Sequence, residues 1–198
     1  MHLGGRRIPG GTPYRIADLG AAHDGDLQLG YKLVETAGAA GADAVVVRRL
    51  GLSARDFKCV LGHAGHVGLA PLGAPDNEED LALLESMDVP GLRLADVDAA
   101  APGLLARAVE KGRPLILSFR EATLDVATRI MEGARWVGSG VALLVPDPRM
   151  MEAWRAAFPA CPVGLRIPTE GLGQADAKAD LVETAHRLPP AHSRRNRP

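Results

Sequence analysis

The chain has 198 residues, 46% of them hydrophobic, 24% charged and 4% aromatic, which is enough apolar material for one core and too much for a disordered chain. Twenty-three Lys and Arg against 24 Asp and Glu leave a net charge of −1, so composition carries no bulk attraction to nucleic acid or to an anionic membrane, and neither is expected as a partner. Two cysteines, Cys59 and Cys161, are too few for a disulfide framework or a structural zinc site; with no leader-like segment and no apolar run of spanning length, a cytoplasmic protein is expected.

Residues 1–12 carry Gly4-Gly5 and Gly10-Gly11-Thr12 with no strand before them and no Gly-Lys-Ser/Thr after, which reads as a flexible lead and not a phosphate loop. From residue 13 onward short apolar runs alternate with amphipathic stretches. The first run, 15–19, is followed by Asp26 as a helix cap, the stripe Leu29, Leu33, Ala37, Ala40, and Gly41 as the stop. A second run covers 42–47. The next segment, 49–66, is short for a helix with its loops, and the glycines around His63 and His66 predict a loop or strand entrance there, not a metal-binding helix. A third run, 67–70, precedes Asp76, Glu78, Glu79 and Asp80, acids that suit the positive end of a helix carrying Leu81, Leu84 and Met87. Further runs at 91–95, 114–118, 141–145 and 162–167 alternate with helical stripes led by Leu104, Leu124 and Met151. Residues 189–198 read as a disordered basic tail containing Arg194, Arg195 and Arg197.

Continuous apolar runs bounded by Gly and Pro are the pattern of strands covered on both faces, and the βα alternation predicts a parallel sheet with right-handed crossovers. An eight-unit barrel typically takes about 250 residues. Seven runs therefore predict an incomplete TIM-type (β/α) barrel over 13–188, with an open seven-stranded α/β sheet as the other arrangement the pattern allows. Unpaired outer strands in either case predict a homo-oligomer or a partner chain.

Within the first unit, Ala17-Asp18-Leu19-Gly20, then Ala22-His23-Asp24-Gly25-Asp26, then Gly41-Ala42-Asp43-Ala44-Val45-Val46-Val47-Arg48 keep the order and spacing of the opening of the sialic acid synthase (N-acetylneuraminate/nonulosonate synthase) family, which this chain resembles. Met87-Asp88-Val89-Pro90 with Leu92-Arg93-Leu94-Ala95, the stretch 112–118 with Ala122-Thr123, and Pro162-Val163-Gly164 are similar to later parts of the same barrel. The resemblance implies carbohydrate biosynthesis by a barrel that condenses phosphoenolpyruvate with an N-acetylmannosamine-type sugar, aided by a divalent metal such as manganese or magnesium. It also shows where this chain departs. The implied strand-two lysine falls on Val46 and the glutamine after it on Arg48; the Ser-Thr-Pro falls on Gly73-Ala74-Pro75. The two implied metal histidines fall on Val145 and Pro168, which have no side-chain donor, so no metal ligand is assigned. Arg120 stands in place of a turn glycine, and no counterpart is expected for the family's eighth strand or its C-terminal antifreeze-like domain.

What the resemblance retains is Asp18 for a glutamate, His23, Arg93 for a lysine, and Ser118. Asp18 and His23 are the candidate catalytic groups. Arg48, Arg93, Ser118, Arg120 and Arg166, at the carboxyl ends of strands, are the candidate ligand-binding groups, since the guanidinium fork suits phosphate and carboxylate. A second reading has these arginines, with Arg49 and Arg149, paired internally to acids such as Asp96, Asp98, Glu121 and Asp147. Two functions stand on these residues. One is a non-catalytic homologue, a pseudoenzyme binding an anionic small molecule of the phosphoenolpyruvate or sugar phosphate type, or a partner chain. The other is an active phosphoenolpyruvate-dependent C–C bond-forming synthase, a transferase working without the usual metal.

Overall fold

The structure, a computed structural model, describes residues 1–95, 102–119, 123–133, 140–167 and 179–185. Eight parallel strands close into a barrel: β3 (Tyr14–Gly20), β4 (Ala44–Val47), β5 (Ala70–Gly73), β6 (Gly91–Leu94), β7 (Leu115–Ser118), β8 (Val141–Val145), β9 (Val163–Ile167) and β10 (Leu181–Ala185). Each strand pairs with its neighbour in sequence, and β10 returns to pair with β3, Glu183 opposite Ile16 and Ala185 opposite Asp18. The expected TIM-type barrel is therefore present, but it is complete. The eighth strand, which sequence reading leaves out, is Leu181–Ala185, and it closes the circle between β9 and β3. Closure leaves the barrel no unpaired edge, so edge protection no longer argues for self-association. No helix among the described residues is long and apolar enough to cross a membrane.

Helices α1 (Leu27–Ala39), α2 (Ala54–His66), α3 (Glu78–Glu85), α4 (Pro102–Glu110), α5 (Leu124–Gly133) and α6 (Met151–Ala157) follow β3 to β8 in turn. Asp26 caps α1 as expected, accepting from the Gln28 and Leu29 amides at 2.7 and 3.0 Å, and Gly41 leaves the helix at φ +79°. The segment around His63 and His66 is helical, not a loop. Ser53 caps α2 and Phe57, Val60, Leu61 and Ala64 bury one face, an apolar stripe that outweighs the glycines. Val67 and Gly68 then end the helix, which shifts the third strand from 67–70 to Ala70–Gly73. Close packing of α1 on α2 depends on Gly30, where an added Cβ would lie 2.8 Å from Val60.

Side chains alternate across the strands. Val45, Leu92, Leu94, Leu117, Leu143, Val163 and Val182 face the helices in one apolar layer that includes the fully buried Trp154 of α6. Ile16, Val46, Leu72, Ile116, Leu144 and Leu181 face inward. The floor of this interior is closed by the first residues. In place of a flexible lead, β1 (His2–Leu3) and β2 (Arg6–Arg7) form an antiparallel hairpin, and its Leu3 and Ile8 are each 1% exposed. Gly91 makes room for that plug: a Cβ there would meet Leu3 at 2.6 Å. The tail at 189–198 lies outside the described residues.

Candidate functional site

With the floor plugged by apolar residues, the interior turns polar only toward the carboxyl ends of the strands. Parity along each strand aims Asp18 of β3, Arg93 of β6, Ser118 of β7, Arg166 of β9 and Glu183 of β10 inward at this level. Arg93 grips Glu183 with both arms of its fork, Nη2 to Oε1 at 2.6 Å and Nε to Oε2 at 3.1 Å, across ninety residues of sequence. The same Nη2 lies 3.3 Å from Oδ2 of Asp18, while Arg166 reaches Oε1 of Glu183 with Nε at 3.3 Å. Asp18 is oriented by the Gly20 amide at the end of β3, which donates to Oδ1 at 3.0 Å. Side-chain exposure rises from 0% for Glu183 and 3% for Arg93 to 11% for Asp18 and 33% for Arg166, so the network opens to solvent on the β9 side.

Two cations and two carboxylates thus meet in a water-poor interior. Burial pushes the Glu183 carboxyl above the ordinary glutamate range; Arg93 pulls against that, the nearby Asp18 charge adds to it, and the net direction is upward. Bidentate arginine–carboxylate contact of this kind is the stronger class of ion pair, and its cost is the desolvation of both partners.

The candidate residues divide into three groups. Asp18, Arg93 and Arg166 are brought together around Glu183, and Ser118 is fully buried on the same inward face of β7. Arg48 and His23 serve the rim. Arg48 holds Asp76 with Nε at 3.0 and 3.1 Å and with Nη2, and the adjacent Arg49 holds Glu79 and Asp80, so the β4–α2 loop is tied to the start of α3. His23 is 1% exposed in the turn after β3. Its Nδ1 accepts from the Gly25 amide at 3.1 Å, which leaves the proton on Nε2 to donate to the Arg48 carbonyl at 2.8 Å. Both ring nitrogens are committed to main chain, and the two rim loops touch where Gly25 meets Gly51. Arg120, Asp96, Asp98 and Glu121 lie outside the described residues. Arg149 pairs with Asp147 at 2.9 and 3.0 Å, so internal pairing holds at Arg48, Arg49, Arg93 and Arg149 alike.

Sequence reasoning misses Glu183. Its signal is faint: Leu181-Val182 is the one apolar pair after Ile167, and a barrel's need for an eighth strand is the reason to look there.

The described residues do not fit the divalent metal that the resemblance implies. Val145 packs in the apolar layer against the helices and has no donor atom; Pro168 lies outside the described residues. Ala74 is buried at the mouth without a hydroxyl, and Gly73 is backed by Leu84, 2.3 Å from where a Cβ would sit. The interior carboxylates Asp18 and Glu183 are both engaged by Arg93, and no three His, Cys, Asp or Glu among the described residues group as a metal site.

Comparison with known proteins agrees with this architecture. The model of the NeuB family matches residues 28–144. An uncharacterised protein of Methanocaldococcus jannaschii, MJ1065, is 28% identical over 138 residues, 60% of this chain and 41% of that protein. Among solved structures, the spore coat polysaccharide biosynthesis protein spsE of Bacillus subtilis superposes with a TM-score of 0.78 at 20% identity, over 93% of this chain and 63% of that one. The N-acetylneuraminic acid synthetase of Leptospira borgpetersenii serovar Hardjo-bovis, in complex with citrate, gives 0.79 at 20% identity, over 96% and 78%. The chain spans about two fifths of the length of its curated relative.

Proposed function

Because the chain belongs to the NeuB family, a carbohydrate-biosynthesis barrel, we propose that it acts there as an anion-binding homologue and not as a metal-dependent synthase. The observation that carries this reading is the Arg93 guanidinium, buried under the open end of the barrel with its fork already spanning a carboxylate and with Arg166 beside it. A planar two-oxygen group is what that geometry accepts. A small anion of the phosphoenolpyruvate or sugar phosphate class is the proposed ligand, with Ser118 as a further polar group of the interior and Arg166 as its solvent-side contact. Asp18 is the acid next to Arg93, and its role is to hold the guanidinium in place. The donor set argues against the metal-assisted condensation: losing a Lewis acid forfeits several kcal/mol of transition-state stabilisation, and nothing among the described residues replaces it.

A thermal-shift titration with phosphoenolpyruvate, with and without manganese, tests the reading. Saturable stabilisation that ignores manganese is expected, about 2.7 kcal/mol at a hundredfold excess over Kd. Absence of any shift in both conditions would overturn anion binding. Consumption of phosphoenolpyruvate in the presence of N-acetylmannosamine would overturn the non-catalytic assignment.

A further inference from the structure

Anion binding at Arg93 has a consequence for charge. Among the described residues, Arg93 and Arg166 are matched by Asp18 and Glu183, so these four side chains together carry no net charge. Around Glu183 the charged groups that face it, among the described residues, are Asp18 from β3, Arg93 from β6 and Arg166 from β9; β4, β5 and β8 offer Val46, Leu72 and Leu144. A monoanion entering this ring would add a negative charge to that balanced network, in a medium that solvates it poorly. It would also have to take the fork of Arg93, which both oxygens of Glu183 now occupy.

We propose that the interior takes up a small carboxylate together with one proton: the ligand displaces Glu183 from Arg93, and the proton is bound by the carboxyl of Glu183. This rests on the anion-binding reading above. The balance is simple. One anion and one solvent proton enter, an O–H bond forms on Glu183, no bond in the ligand breaks, and no net charge is added to the network. Two features of the site favour this route over expulsion of Glu183 to solvent. Glu183 has no exposed side-chain surface, and it sits in the middle of β10 with both neighbouring strands paired, so it cannot swing out. Asp18, touching the same nitrogen of Arg93, is the acceptor beside which a protonated Glu183 would rest. Burial already raises this carboxyl while Arg93 restrains it, and a ligand that takes Arg93 removes the restraint.

Pyruvate, a monocarboxylate that stays ionised from pH 6 to 9, is the probe. Isothermal titration of the whole chain in buffers of differing ionisation enthalpy should show uptake of close to one proton per pyruvate on the alkaline side, with affinity falling about tenfold per pH unit there. Glu183→Gln, which keeps the shape and carries no titrating group, should bind pyruvate with no proton uptake and a flat pH profile. Difference infrared spectra of the wild-type protein give a second reading that needs no variant: a protonated-carboxyl C=O band should appear when pyruvate is added at pH 8. Binding without proton uptake and without that band would overturn the coupling while leaving anion binding intact. No binding by the wild type or by Glu183→Gln at pH 6 would overturn both.

Discussion

Arg93→Met removes the cation at the centre of the interior while keeping a side chain of comparable length. Three contacts are lost: two to Glu183, at 2.6 and 3.1 Å, and one to Asp18 at 3.3 Å. What remains is a carboxylate with no exposed surface beside a second one, with Arg166 on one oxygen. Breaking a buried ion pair from one side costs about 3–5 kcal/mol. For a chain of this size each kcal/mol moves the melting midpoint by about 2–4 °C, so a drop of about 6–20 °C is expected at pH 8. The loss should shrink on acidification. Glu183 is an acid whose folded pKa lies above its unfolded one, so its contribution to stability is fully present below the ordinary glutamate range and is lost as pH rises through the folded value; removing Arg93 pushes that value further up and widens the window. Replacing the partner as well, Arg93→Met with Glu183→Leu, should recover most of the loss, because apolar substitutes for a buried pair are neutral or stabilising. Circular-dichroism melts of the wild type, the single and the double variant at pH 5 and pH 8 measure all of this. A single variant melting within about 2 °C of wild type at pH 8, or a double variant no better than the single, would refute the view that Arg93 compensates Glu183.

Three other substitutions probe what positions the site. Trp154→Ala opens a void under edge-on contacts to Phe119 and Phe158 at 4.9 and 6.0 Å between ring centroids, and should cost about 3–5 kcal/mol in urea unfolding. His23→Leu strips partners from the Gly25 amide and the Arg48 carbonyl, so a loss of about 1–3 kcal/mol is expected, with faster amide exchange at Gly25; unchanged exchange would count against His23 as the tie between the rim loops. Gly164→Ala would set a Cβ 2.3 Å from the Leu181 carbonyl oxygen and should loosen β10, read as lowered melting and faster exchange at Val182 and Glu183.

Much of this protein is legible along the chain because its signals are local. Apolar runs flanked by Gly and Pro mark six of the eight strands and touch the start of a seventh at Ala70, since a strand covered on both faces must be apolar throughout, and Asp26 marks a helix start because a cap acts within three residues. Asp18, Arg93 and Arg166 are found for a related reason, as the charged residues ending strands in a fold whose open end lies there. One misreading also comes from a local rule. Gly62 and Gly65 argue against a helix by propensity, yet α2 forms because Phe57, Val60, Leu61 and Ala64 gain more by packing than the glycines lose.

The amino-acid sequence by itself determines the alternation of strands and helices, the absence of a bulk charge field and the placement of arginines at strand ends. Tertiary structure decides closure, pairing and charge balance. Leu181–Ala185 is a strand because β9 and β3 leave a gap that five residues fill, and Glu183 becomes the partner of Arg93 because closing the barrel brings residues ninety positions apart within hydrogen-bond distance. No local pattern encodes that pairing: whether an arginine is an open anion site or half of a neutral buried pair depends on what stands opposite it, and only the closed ring supplies the opposite wall.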